Sequence, residues 1–90
     1  MNKPYNDHQI NSSSFYRTFD KNVLDDELEW HRDENDRIVT VMLGKDWELQ
    51  LENSLPTVMK EEDQIFIPAK SYHRIKRGTT NLTVRIEEFK

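Results

Sequence analysis

The chain contains no cysteine among its 90 residues. Disulfides, thiolate zinc sites and thiol nucleophiles are excluded by that alone. It has only two glycines, Gly44 and Gly78, too few for a glycine-rich loop that cradles phosphate. No serine or threonine stands in a nucleophile elbow beside a base. No apolar run approaches the roughly 20 residues that cross a bilayer. Basic charge is not in excess either: 13 Lys and Arg against 17 Asp and Glu leave a net charge of −4. A nucleic-acid-binding surface needs the opposite balance, so none is expected. The opening "MNKPYNDHQINSSSF" lacks the basic-then-apolar pattern of a secretion signal, and a cytoplasmic protein is the expectation.

What the chain has in quantity is charge, 33% against 34% hydrophobic residues. Such a composition leans toward disorder, so the case for a fold rests on pattern. "WELQLEN" sets Trp47, Leu49 and Leu51 against Glu48, Gln50 and Glu52. "NLTVRIEEF" sets Leu82, Val84 and Ile86 against Thr83, Arg85 and Glu87. This period of two marks a half-buried strand. "RIVTVMLG", "TVMK", "QIFIP" and "SYHRI" supply further short strands. "ELEWH" reads as another, with Leu28 and Trp30 on one face. Turn residues at Gly44–Asp46, Ser54–Pro56, Glu61–Asp63 and Lys76–Asn81 separate them. About seven or eight strands at this spacing predict an antiparallel sandwich or small barrel. The most helix expected is one turn near Val23 and Leu24. Residues 1–14 have no apolar period and read as a mobile arm, or as an edge strand exchanged with a partner. Residues 15–90 read as a single barrel domain.

The string "EEDQIFIPAKSYHRI" resembles the second motif of the cupin superfamily: glycine, five residues, proline, one residue, glycine, two residues, histidine. Pro68 and His73 match it. Glu62 stands at the first glycine, Lys70 at the second, and Arg77 at the final asparagine. "LEWHRDENDR" then resembles the first motif, with His31 at its first histidine and Gly44 at its closing glycine. Asp33 stands at the second histidine and Arg37 at the glutamate. The resemblance runs from about Leu28 to Ile86 and is to small single-domain cupins of bacterial or bacteriophage type. It implies an all-β fold, a cupin-type double-stranded β-helix, that is, a small antiparallel jelly-roll barrel. It also implies a homodimer.

In such a barrel His31, Asp33 and His73 form a candidate metal set. Residues two apart on a strand share a face, so His31 and Asp33 point inward together. Two imidazoles and a carboxylate suit Fe(II), with Mn, Ni and Zn as alternatives, and leave positions open for substrate or oxygen. His-x-Asp with a distant histidine also resembles the iron ligands of 2-oxoglutarate oxygenases, where a later arginine holds the cosubstrate; Arg85 is comparable. Against a metal stands Arg37: a guanidinium ~5 Å from a divalent ion costs roughly 6–7 kcal/mol at an effective dielectric of ~20. The same residues without metal make a polar pocket in which Arg37 pairs with Asp33 or Asp36. Arg37 is also a candidate to orient a substrate carboxylate or phosphate, and Tyr72 to orient a ligand or close the barrel mouth. Trp47 is either core or a stacking platform for a ligand. If His31 and Asp33 face the cavity, Trp30 packs outside the barrel, against the N-terminal segment or a dimer partner. Two functions fit: a metal-dependent oxygenase, isomerase or lyase on a small polar molecule, or a metal-free binder of a small anionic or sugar-like ligand. A barrel that serves only as a scaffold is a third.

Overall fold

A computed structural model describes residues 3–90. Its strands are β1 (Tyr5–Gln9), β2 (Ser14–Phe19), β3 (Asp36–Leu43), β4 (Glu48–Leu51), β5 (Thr57–Val58), β6 (Gln64–Ile67), β7 (His73–Lys76) and β8 (Leu82–Phe89). They form a five-stranded sheet, β1-β2-β8-β3-β6, and a three-stranded sheet, β5-β4-β7. All the strand pairings are antiparallel. One 3-10 turn, Asp25–Glu27, is the only helical element among the described residues. It lies just beyond the turn expected near Val23.

The alternating residues fill the space between the sheets. Val39 and Val41 of β3, Leu49 of β4, Ile67 of β6, and Leu82, Val84 and Ile86 of β8 are buried. Trp47 is fully buried, and its indole N–H donates to the Thr80 carbonyl at 2.7 Å. Trp47 is therefore core and no ligand platform. A Cβ at Gly78 would collide with the Trp47 ring and the Lys45 carbonyl, which is why the β7–β8 turn carries glycine there.

Two expectations are corrected. The arm expected over residues 1–14 is, from Tyr5 to Gln9, the edge strand β1, hydrogen-bonded in register to β2 of the same chain. Asn6 to Gln9 are exposed, which explains the missing apolar period. Met1 and Asn2 lie outside the described residues. No continuous strand exists at "ELEWH" either: the 3-10 turn takes Glu27, and pairing is limited to one bridge at His31. Leu28 is buried, but Trp30 is exposed at the cavity rim, with the Arg74 guanidinium 4.7 Å from its ring centroid.

Glu62 and Lys70 adopt φ values of 76° and 64°. These are the two positions at which the cupin motif has glycine. The left-handed backbone is kept while the residue that favours it is not.

Candidate metal centre

Backbone pairing brings the two histidines together. His31 donates its N–H to the His73 carbonyl at 3.0 Å, and His73 donates to the His31 carbonyl at 2.9 Å. Side chains of such an antiparallel pair leave the sheet on one face. The two imidazoles accordingly meet edge to face, with centroids 4.2 Å apart. Asp33 is placed by the β6–β7 loop: its carbonyl accepts from the Lys70 N–H at 2.6 Å, and Asp36 Oδ1 accepts from the Ala69 N–H at 2.7 Å. One ligand atom from each of His31, Asp33 and His73 lies within 4.8 Å of the others.

The hydrogen bonds around the imidazoles fix their tautomers. His73 Nδ1 lies 3.1 Å from the Ser71 carbonyl, and His31 Nδ1 lies 3.3 Å from the Glu29 carbonyl. A carbonyl only accepts, so each Nδ1 carries the proton. Each neutral ring therefore offers its Nε2 lone pair. This is how ligating histidines are held in metal sites. His73 Nε2 lies 3.3 Å from Asp33 Oδ2, and Arg37 Nη1 lies 3.1 Å from the same oxygen. Oδ2 is buried and has no hydrogen-bond partner. The donor set, two imidazoles and one carboxylate, fits a divalent ion. About 3 Å separates ligand atoms on one ion at ordinary bond lengths, so the cluster would have to contract by side-chain rotation.

Burial, and then the neighbouring His73, push the His31 imidazole below its ordinary value. Burial alone would raise the Asp33 carboxyl. The His73 contact and the Arg37 charge outweigh it and hold that carboxyl below the usual range. Both groups are thus biased toward the forms that ligate.

Arg37 is already engaged. Its Nε and Nη2 donate to Glu88 Oε2 at 3.1 and 2.8 Å, while Nη1 pairs with Asp33. Arg37 and Glu88 are directly opposite in the β3–β8 register. Arg17 also faces inward and has a cross-strand carboxylate of its own, Asp7, at 2.8 and 3.0 Å. Glu88, Arg17 and Asp7 were not singled out in the sequence. Parity gave the signal: Glu88 continues the face of Leu82, Val84 and Ile86, and Arg17 sits between Phe15 and Phe19.

The remaining candidates lie elsewhere. Arg85 alternates with Val84 and Ile86, so it projects from the opposite face of β8, away from the cavity those two line. No comparison with a cosubstrate-binding arginine holds for it. Tyr72 is exposed and outside the cavity lining, with Arg32 5.4 Å from its ring centroid. The cavity measures about 400 Å³. Asp33, His31, His73, Arg37 and Arg17 line it beside a wall of aliphatic side chains.

No family model matches the chain, and no curated protein matches its sequence. Solved structures match its shape. An RmlC-like cupin with a double-stranded β-helix fold from Methanocaldococcus jannaschii superposes with a TM-score of 0.74 at 14% identity, covering 97% of this chain and 81% of that one. The chain has the cupin fold. The DMSP lyase DddQ from Ruegeria pomeroyi superposes on this chain with a TM-score of 0.76 at 13% identity, over 89% of its length. Fe(II)-HppE with an alternative substrate gives 0.72 at 14%, over 94% of this chain. The chain spans only 40% of the lyase's length and 48% of that of HppE. Among the described residues, no helix is long and apolar enough to cross a membrane.

Proposed function

We propose that this cupin is a metal-dependent enzyme, an oxygenase, isomerase or lyase, acting on a small molecule in the barrel cavity. The observation that carries the reading is the cluster of His31, His73 and Asp33, whose buried Oδ2 has no hydrogen-bond partner. Two imidazoles and one carboxylate suit Fe(II) first, then Mn, Ni or Zn. Such an ion, when bound, supplies a Lewis-acidic centre with open positions for substrate or oxygen. The chain's own part is to hold the donors. The Ser71 and Glu29 carbonyls fix the rings, and Glu88 fixes Arg37 against Asp33. With neutral histidines, Asp7 balances Arg17 and Glu88 balances Arg37, so Asp33 is left as a single negative charge, which leaves room for a cation.

A second reading has its own observation. Arg37 already meets Asp33 Oδ2, so the guanidinium can stand where an ion would, as in a metal-free binding cupin. Metal analysis separates the two. Protein purified without chelator and reconstituted anaerobically with Fe(II), Mn(II), Ni(II) or Zn(II) is expected to hold one ion per chain. A stoichiometry near zero with every ion removes the enzyme reading. Ligand-induced thermal stabilisation that survives chelator then supports the binder.

A further inference from the structure

We infer that the molecule this cavity takes is an amphiphile with one chelating oxygen head and an uncharged hydrocarbon body. The inference rests on the metal reading for the head alone. The body is argued from the walls. Val39, Leu49, Ile67, Ile75, Val84 and Ile86 contribute side chains from both sheets to the cavity. Its volume of about 400 Å³ lies near the small end of the ~300–1,000 Å³ typical of ligand pockets.

The charged residues argue against a second anionic group. Two arginines line the cavity, and each is held by a carboxylate directly opposite on the neighbouring strand: Arg17 by Asp7 and Arg37 by Glu88. The Arg17 guanidinium is also covered by the Tyr5 ring at 3.7 Å. A substrate carboxylate or phosphate would have to displace one of these partners and leave it as an unpaired charge. Glu27 and Glu29, both exposed, line the same cavity and repel a further anion at its edge. What is left unmatched is apolar wall, and an alkyl or alkenyl chain covers it at no desolvation cost.

Calorimetry with two series of probes tests this. The first is n-butanol to n-octanol against protein kept in chelator. The second is the monocarboxylates from butanoate to octanoate, with the dicarboxylates of equal length, against protein loaded with Zn(II). Affinity is expected to rise roughly fourfold per methylene in both monofunctional series until the cavity is filled. Each dicarboxylate is expected to bind at least tenfold more weakly than the monocarboxylate of its length. Leu49→Ala should move the plateau to longer chains. Val84→Trp should abolish the chain-length dependence, and a variant that still binds one zinc shows that it folds. Flat alkanol affinities, or dicarboxylates that bind as well as monocarboxylates, overturn the inference. The chelator arm separates the two readings: a chain-length slope without zinc binding leaves the apolar body standing and removes the metal, while zinc binding with no slope does the reverse.

Discussion

His73 turns one nitrogen to a carbonyl and the other to a carboxylate: Nδ1 lies 3.1 Å from the Ser71 oxygen and Nε2 lies 3.3 Å from Asp33 Oδ2. A neutral imidazole cannot donate from both. With the proton on Nδ1, the Nε2 lone pair is free to ligate a cation beside Asp33 Oδ2.

Arg37 sets the strength of that site. Arg37→Gln removes the charge that competes for Asp33, and metal affinity should rise about tenfold or more by calorimetry. Glu88 then loses its partner. Breaking a partly buried ion pair from one side costs on the order of 1–3 kcal/mol, so urea denaturation should show a less stable protein. Adding Glu88→Gln should recover much of the loss and keep the gain in affinity. Arg37→Glu restores the carboxylate of the cupin motif. It also places that group opposite Glu88, so its affinity gain should come with the larger stability loss.

Acidification should destabilise the metal-free protein in two steps. The folded-state pKa of His31 is lowered, so the unfolded chain takes up its proton first. Stability from neutral His31 is complete above the ordinary value of 6.5 and declines as pH falls from there toward the folded value. Asp33 is also lowered, so its contribution is complete above 3.8 and is lost as pH falls through its folded value. Urea midpoints measured from pH 8 to pH 3 should fall across both windows. His31→Gln should remove the upper step alone.

Lys70 and Glu62 carry avoidable backbone strain. Both are exposed and hold a left-handed φ. Replacing Lys70 with glycine should stabilise the fold by about 0.5–1 kcal/mol, the left-handed penalty less the added entropy of the unfolded chain. Thermal melts of Lys70→Gly and Glu62→Gly measure this. Asp33 is held through the Lys70 N–H, which glycine retains, so metal affinity should not change.

Most of the architecture was legible where one sheet face is apolar and the other polar. β4 and β8 alternate without interruption, and β3 and β6 are bounded by glycine and proline. β1 was illegible for the opposite reason, since an edge strand with exposed Asn6 to Gln9 has no apolar face to betray it. "ELEWH" misled because alternation predicts strand only where a partner strand is present, and here pairing is confined to His31. The inward aim of His31 and Asp33 still emerged, carried by the His73 bridge and the Lys70 N–H instead of by a strand. Arg37 and Glu88 are 51 residues apart, and only the β3–β8 register makes them neighbours.

The free edge of β1 bears on assembly. β1 ends the five-stranded sheet, and no described strand pairs with its outer side. Two copies joined edge to edge through β1 would make a closed two-fold pair. We expect a homodimer built that way rather than by exchange of an arm. Sedimentation equilibrium at high micromolar concentration should return twice the chain mass, and the chain mass alone would refute it.

Anomalous diffraction from crystals of the Fe(II)-reconstituted protein, collected at the iron edge, tests the central claim most directly. The account predicts one peak per chain, roughly 2.0–2.2 Å from His31 Nε2, His73 Nε2 and an Asp33 carboxylate oxygen. Arg37 should remain paired with Glu88. A crystal without that peak, or with Arg37 still seated on Asp33 Oδ2 and iron bound elsewhere, would contradict it.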